Sequence, residues 1–219
     1  MQRFFDIILS FLALLLLGPF LLPVVFILRF TGEREIFYIQ RRVGYKGNEF
    51  GLLKFATMLK NSPNLGSGEI TLKGDPRVLP FGKFLRKTKI NELPQLWNIV
   101  IGDMSVVGPR PMVPNTYSNY STIAQQKLST IRPGLTGIGS IIFRDEERYL
   151  SNQEYPSEFY RKHIIPHKCD LEIWFVDNKS LWLYTKTIFV TAWVVVFPAS
   201  KVAEKAFKGI PMLPEDLKI

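Results

Sequence analysis

The sequence predicts an α+β protein, predominantly helical with small β-hairpins, sitting monotopically on a membrane by an N-terminal re-entrant helix and interfacial amphipathic helices. Three observations predict it. Residues 4–28 are nearly all apolar, residues 36–51 carry strand formers around turn chemistry, and residues 83–102 repeat apolar positions at helical spacing. The expected divisions are a membrane-inserted helix at 1–30, a cytoplasmic-face domain at 31–200 and a tail at 201–219.

The apolar segment is interrupted only by Asp6, Ser10, Gly18, Pro19 and Pro23. About 20 such residues span a bilayer. A signal peptide would place its basic residues before a shorter run and a small-residue cleavage site after it. Here Arg29, Arg34, Arg41, Arg42 and Lys46 follow the run and no small-x-small pattern does, so the segment reads as a retained anchor. Gly18-Pro19 lies near its middle and Pro23 about a turn later. Proline removes a helix hydrogen bond and kinks the helix. A break at mid-depth suits a helix that enters and turns back, with both ends on the basic side; a proline-kinked span is the competing reading. A second apolar stretch, 187–198, has Trp182, Lys186 and Trp193 near it and is too short to span. It reads equally as an interfacial helix or a core helix.

Between these, Ile36, Tyr38 and Ile39 favour a strand and residues 44–48 a turn, giving a hairpin over 36–51. Residues 61–68, rich in Gly, Ser, Asn and Pro, read as a surface loop. Residues 107–114 contain Pro109, Pro111 and Pro114 and must extend or turn. Residues 116–130 read as helix, 132–139 as turn-rich, and 149–160 as polar and partly helical. No repeat or low-complexity tract is present.

The length of 219 residues suits one domain with an anchor, and 47% hydrophobic residues exclude wholesale disorder. The single cysteine, Cys169, rules out an intrachain disulfide and reads as a buried or half-buried thiol. The net charge of +9 points to a phosphate-bearing partner: nucleic acid, anionic membrane lipid or a phosphorylated substrate. No nucleic-acid-binding motif is recognisable and the basic residues flank a membrane segment, so no nucleic acid is expected.

Chemistry concentrates in residues 84–111. Leu93, Leu96, Trp97 and Val100 form one helical face, with Asn91, Gln95 and Asn98 on another. Asn91 suits an N-cap and Pro94 a first turn. Glu92 would then sit at a helix N-terminus, which attracts phosphate, just after Arg86, Lys87 and Lys89. Glu92 either complements the helix dipole or serves as the one carboxylate in a phosphate pocket. Arg110, between Pro109 and Pro111, is either a surface cation or a guanidinium aimed by a stiff loop at phosphate or base. His163 and His167 lie four apart with Pro166 between them and lack further ligands, so they read as structural or surface residues.

Taken together, RFFDIILSFLALLLLGP, QRRVG, KFATM, KGDPRVLPFGKFLRKT, NELPQLWNIVIGDMSVVGPRP and RPGLTG resemble the bacterial sugar transferase family. These are the monotopic phosphoglycosyl transferases that start glycan assembly on undecaprenyl phosphate. The resemblance covers most of the chain. It implies a re-entrant helix broken at Gly18-Pro19 and a place on the cytoplasmic face of the bacterial inner membrane. It implies ping-pong transfer: a carboxylate attacks a UDP-sugar, releases UMP and passes the sugar phosphate to undecaprenyl phosphate. It also implies Mg2+, which neutralises the reacting diphosphate. A homodimer is compatible with it. The residues it points to are Glu92 and Asn91 for catalysis. Arg86, Lys87, Pro109, Arg110, Pro111 and Arg144 are expected to bind substrate, and Glu92 and Asp145 the metal.

The chain departs from the family at three places. The family's nucleophile is the Asp of an Asp-Glu pair before Leu-Pro; here that pair is Asn91 and Glu92. A carboxylate attacks and an amide does not. Either Glu92 attacks, or Asn91 is an engineered inactivation, or the chain has lost catalysis and binds nucleotide-sugar or lipid phosphate only; retained transfer is the leading expectation. Ala56 replaces a common Arg. GSIIFRDEE, from Gly139, replaces a polar-aromatic run ending in Gly-Arg, with Arg144 and Asp145 in the place of that Arg and its neighbour. Asp145, Glu146 and Glu147 offer carboxylates to magnesium or form a solvated charge run.

Overall fold

The apolar N-terminal segment forms one helix, α1 (Gln2–Phe30), in a computed structural model that describes residues 1–65, 71–72, 74–144, 146–151, 153–198, 200 and 202–214. Among the described residues it is the one helix long and apolar enough to cross a membrane. The helical backbone continues through Pro19 and Pro23, where the sequence suggested a break. Proline forfeits a hydrogen bond but its φ is already helical, so it can be accommodated within a helix. Along α1, a stripe at three- and four-residue spacing faces the rest of the protein. Arg3 and Asp6 hydrogen-bond to it, Ser10 is buried, and Leu14, Leu21, Val24 and Leu28 pack in its core clusters. The other side exposes Phe4, Phe11, Leu15, Leu16, Phe20 and Phe26.

The expected hairpin follows as β1 (Phe37–Val43) and β2 (Glu49–Phe55), antiparallel with Arg42 opposite Phe50. Its second strand runs four residues further than the sequence suggested. Gly47, at φ 74°, helps close the turn in a conformation that favours glycine. Next come α2 (Pro80–Lys87), a 3-10 turn (Ile90–Glu92) and α3 (Gln95–Ile101). Lys89, at φ 61°, separates α2 from the turn.

The faces of α3 differ from expectation. Gln95, Leu96, Asn98 and Ile99 are buried, whereas Trp97 is 54% exposed. Asn98 is buried because its amide imitates a strand partner. Its Oδ1 accepts from Leu53 N–H at 3.0 Å, and its Nδ2 donates to the Gly51 carbonyl at 2.8 Å. Apolar period alone gives no sign of such a polar anchor.

The second strand pair is not a hairpin. β3 (Ser105–Val107) and β4 (Gly134–Thr136) are parallel, with Ser105 opposite Gly134. The crossover holds α4 (Pro114–Ser118) and α5 (Thr122–Ser129), which divide the helix expected over 116–130. After β4 come α6 (Ile138–Ile142), α7 (Glu146–Ser151) and α8 (Pro156–Phe159). A π-turn (Tyr160–Ile164), α9 (Ile165–Asp177), α10 (Leu181–Val196) and α11 (Val202–Ala206) complete the order. The largest core joins Ile138, Leu171, Phe175, Leu183 and Val190, and Phe207 from the tail packs into it. Helix α10 meets both sequence readings. Leu183, Thr187 and Val190 are core residues, while Trp182, Phe189 and Trp193 are exposed. The loop read over 61–68 is a 3-10 turn at Ser62–Asn64, and its last three residues lie outside the described ones. Cys169 is a half-buried free thiol.

Replacing Asn98 with alanine strands the Leu53 N–H and the Gly51 carbonyl. Asn98→Ala is expected to lower unfolding stability by about 2–4 kcal/mol, from about 1–3 kcal/mol per unsatisfied group. Denaturant unfolding of the detergent-solubilised protein measures this, and a loss below about 0.5 kcal/mol would show that β2 does not depend on the anchor.

Candidate active site

Glu92 closes the 3-10 turn rather than opening α3. Its N–H donates to the Lys89 carbonyl at 3.0 Å, and α3 begins at Gln95 with Pro94 as its cap residue. Asn91 is therefore not an N-cap. It is buried in the turn, and its Oδ1 has no hydrogen-bond partner.

One open cleft brings most of the expected residues together. Asn91, Glu92, Arg86, Lys87, Arg110, Pro111 and Arg144 all line it. Arg110 Nη2 donates to Glu92 Oε1 at 3.1 Å. The loop bearing Arg110 is held from both sides. Gly108 N–H donates to the Thr136 carbonyl at 2.9 Å, and Gly134 N–H to the Pro109 carbonyl at 2.8 Å. Arg42 Nη1 donates to the Pro111 carbonyl at 3.0 Å. Pro109 is buried and shapes the loop. Arg86 Nη1 lies 3.7 Å from the Met58 sulfur, and Lys87 is exposed. Arg144 is half-buried, and its Nη1 has no partner. Asp145 lies outside the described residues.

Three residues that the sequence reading did not select also line this cleft: Lys54, Lys168 and Glu172. Lys54 follows Leu53, the residue held by Asn98, and its string KFATM drew attention only to Ala56. Burial pushes the Lys54 amine down to about 7. Glu92 opposes that shift, and Arg42, Arg110 and Arg86 reinforce it. Burial alone would raise the Glu92 carboxyl, but Arg110, Lys54 and Lys89 outweigh it and hold it at about 2. Glu92 is thus ionised throughout the physiological range. Its favourable charge interactions are fully present above the ordinary carboxylate range and are lost only as pH falls through about 2.

Glu146 Oε2 pairs with Lys168 Nζ at 2.6 Å, so this carboxylate is already engaged. His167 is buried against Phe143, and His163 stacks on Phe159. Among the described residues, no group of three or more His, Cys, Asp or Glu side chains could hold a metal ion.

Residues 1–198 match the family model described as bacterial sugar transferase. The chain belongs to this family. The resemblance carried by the sequence strings is borne out. Among its relatives is the exopolysaccharide production protein ExoY of Sinorhizobium fredii, 36% identical, with 72% of this chain and 76% of the relative aligned. The undecaprenyl-phosphate galactose phosphotransferase of Salmonella typhimurium is 31% identical, over 90% of this chain and 40% of its own length. The UDP-glucose:undecaprenyl-phosphate glucose-1-phosphate transferase of Klebsiella pneumoniae is 32% identical, over 87% of this chain and 39% of its own. This sugar transferase thus spans well under half of those two longer relatives.

The acidity of Lys54 is directly testable. Competitive amine labelling read by mass spectrometry should give Lys54 a midpoint near 7, well below exposed lysines. Glu92→Gln should lower the midpoint further, because the carboxylate supports the charged amine. A midpoint above about 9.5, within the ordinary lysine range, would contradict the electrostatic reading.

Proposed function

We propose that this chain transfers a sugar-1-phosphate from a UDP-sugar to undecaprenyl phosphate, releasing UMP. The observation that carries the reading is the ionised Glu92 carboxylate, held by Arg110 in a cleft with Lys54 and Arg86. A site for phosphoryl transfer needs cations to gather phosphates and, for a ping-pong route, one oxygen nucleophile.

In the proposed route a Glu92 oxygen attacks the phosphorus that bears the sugar. The bond from that phosphorus to the bridging oxygen breaks, and UMP leaves. The sugar phosphate is then held as an acyl phosphate on Glu92. A phosphate oxygen of undecaprenyl phosphate attacks the same phosphorus, freeing the carboxylate and forming the lipid diphosphate sugar. Arg110 first pairs with Glu92; arriving phosphate oxygens compete for the guanidinium and release the carboxylate for attack.

Magnesium fits the donors present. Glu92 and the orphaned Asn91 Oδ1 would offer hard oxygens from adjacent positions, and magnesium is commonly held by one or two carboxylates plus substrate phosphates. When bound, it would neutralise charge on the diphosphate.

The contacts of α1 support a location. Gln2, Arg3 and Asp6 near its start bond to α3 and β3, while Val24 and Leu28 near its end pack with Phe55 and Leu85. About 30 Å of hydrocarbon would separate the ends of a spanning helix, so both could not rest on one water-side domain. Both ends on one side support the monotopic reading, with α1 held along the domain instead of crossing the bilayer. Exposed Phe11, Leu15, Leu16 and Phe20 would face lipid. The basic residues after α1 support the cytoplasmic face of the inner membrane, where a soluble donor meets a lipid acceptor.

UMP release, measured over a panel of UDP-sugars with undecaprenyl phosphate and magnesium, tests the reading. Release is expected here and should fall at least about a thousandfold in Glu92→Gln, as expected when a nucleophile is removed. Release from Asn91→Asp alone would mark the chain as an inactivated transferase. Silence from this chain and every variant would favour a protein that binds nucleotide-sugar or lipid phosphate without catalysis.

A further inference from the structure

Glu172 lies on α9, 62 residues beyond Arg110, and is 2% exposed. Its Oε1 accepts the Arg110 backbone N–H at 3.2 Å, and its Oε2 has no partner. The carboxyl sits against glycines. A Cβ at Gly139 would overlap Oε1, and one at Gly137 would stand 3.9 Å from Oε2. A half-satisfied buried carboxyl is unfavourable, and an apolar residue would pack α9 without that penalty.

The Pro-Arg-Pro run explains what the carboxyl can do there. Pro109 and Pro111 have no N–H, so that of Arg110 is the only backbone donor in the run. The same residue's guanidinium reaches Glu92. We propose that Glu172 is a positioning residue for Arg110: by gripping that N–H from a glycine-lined seat, it sets where the guanidinium stands between Glu92 and a substrate phosphate. The catalytic consequence rests on the transferase reading above; the grip itself does not.

Among the described residues, Lys168 and Cys169 on α9, Arg110 on its loop and Tyr120 after α4 are the titratable groups that face Glu172. Burial pushes its carboxyl up to about 7, opposed by the Arg110 N–H and by the charges of Lys168 and Arg110. Below that pH the carboxyl is neutral. Above it, a negative charge competes with substrate phosphate for Arg110, so donor KM should rise with pH.

The test uses the whole chain in detergent with 15N-arginine, and the Arg110 amide is assigned by its loss in Arg110→Lys. In wild type this amide resonance should shift with a midpoint near 7. In Glu172→Gln, which keeps an acceptor oxygen, it should not titrate. In UMP-release kinetics, Glu172→Gln should stay within about threefold of wild type at pH 6 and show a smaller rise in donor KM between pH 6 and 8, the remainder coming from loss of the Lys54 charge. Glu172→Ala should raise donor KM about tenfold while changing kcat less. Gly139→Ala, which fills the seat, should do the same in wild type yet add less than about twofold to Glu172→Ala, as expected for coupled sites. If Glu172→Ala does not fold, the amide titration and the Gln and Gly139 variants decide.

A pH-independent Arg110 amide overturns the proposal. So does wild-type behaviour in Gly139→Ala, or a Gly139 effect that simply multiplies with that of Glu172→Ala. A titrating amide in a protein that releases no UMP would leave the grip standing and remove the transferase reading. UMP release with a silent amide would do the reverse.

Discussion

One buried carboxylate ties the apolar helix to the scaffold of the cleft. Asp6 Oδ1 accepts from Ser105 Oγ, Val106 N–H and Tyr184 Oη, each at 2.9 Å, and Asp6 is 2% exposed. A buried carboxylate needs such donors, and removing it would strand all three. Two turns of consequence follow from this contact. Arg3, one turn earlier on α1, donates to the Ile99 and Val100 carbonyls at the end of α3, the helix that follows Glu92. Val107, just beyond the Asp6 contact, leads into Gly108-Pro109-Arg110. The placement of α1 and the spacing of Glu92 from Arg110 therefore share one anchor. A helix set at the wrong depth in lipid would transmit its displacement to both sides of the cleft.

The cleft has a charge imbalance that phosphate would relieve. Arg42, Lys54, Arg86 and Arg110 line it together with Glu92. The imbalance is read in the two shifted groups. Lys54 sheds its proton more easily because burial and three guanidinium groups disfavour its charge, while Glu92 keeps its charge because the same cations favour it. An entering phosphate would support the charged amine, so substrate binding and protonation of Lys54 are linked.

The hairpin was legible because strand formers flank the turn residues at 44–48, a purely local signal. The site was legible as a set of strings, and Asn91, Glu92, Arg86, Arg110 and Arg144 do line one cleft. What stayed hidden depends on distant neighbours. Three-residue strands paired across 29 positions leave no periodicity to read. Trp97 and Leu96 are equally apolar, and only the packing of α3 buries one of them. Asn98 looks like a solvated residue until Gly51 and Leu53 meet it. The acidity of Lys54 and the role of Glu172 arise from contacts that no local window contains. The prolines of α1 were readable either as a break or as a kink within one helix, and only the contacts along α1 keep the helix continuous.

The amide at position 91 also bears on the charge of its neighbour Glu92. Two adjacent carboxylates in one cleft would repel, and one of them would hold a proton more tightly. With Asn91 in place, Glu92 has no second carboxylate beside it in the turn and is fully ionised. The same cations also hold its electron pairs, and a carboxylate gripped by a guanidinium attacks poorly. The geometry reconciles the two demands because Arg110 is the more exposed partner, at 41% against 16% for Glu92. Its guanidinium can therefore turn toward a phosphate while the carboxylate stays where the turn puts it. In the proposed route, the charge that quiets Glu92 before substrate binds would then stabilise the phosphorus centre under attack.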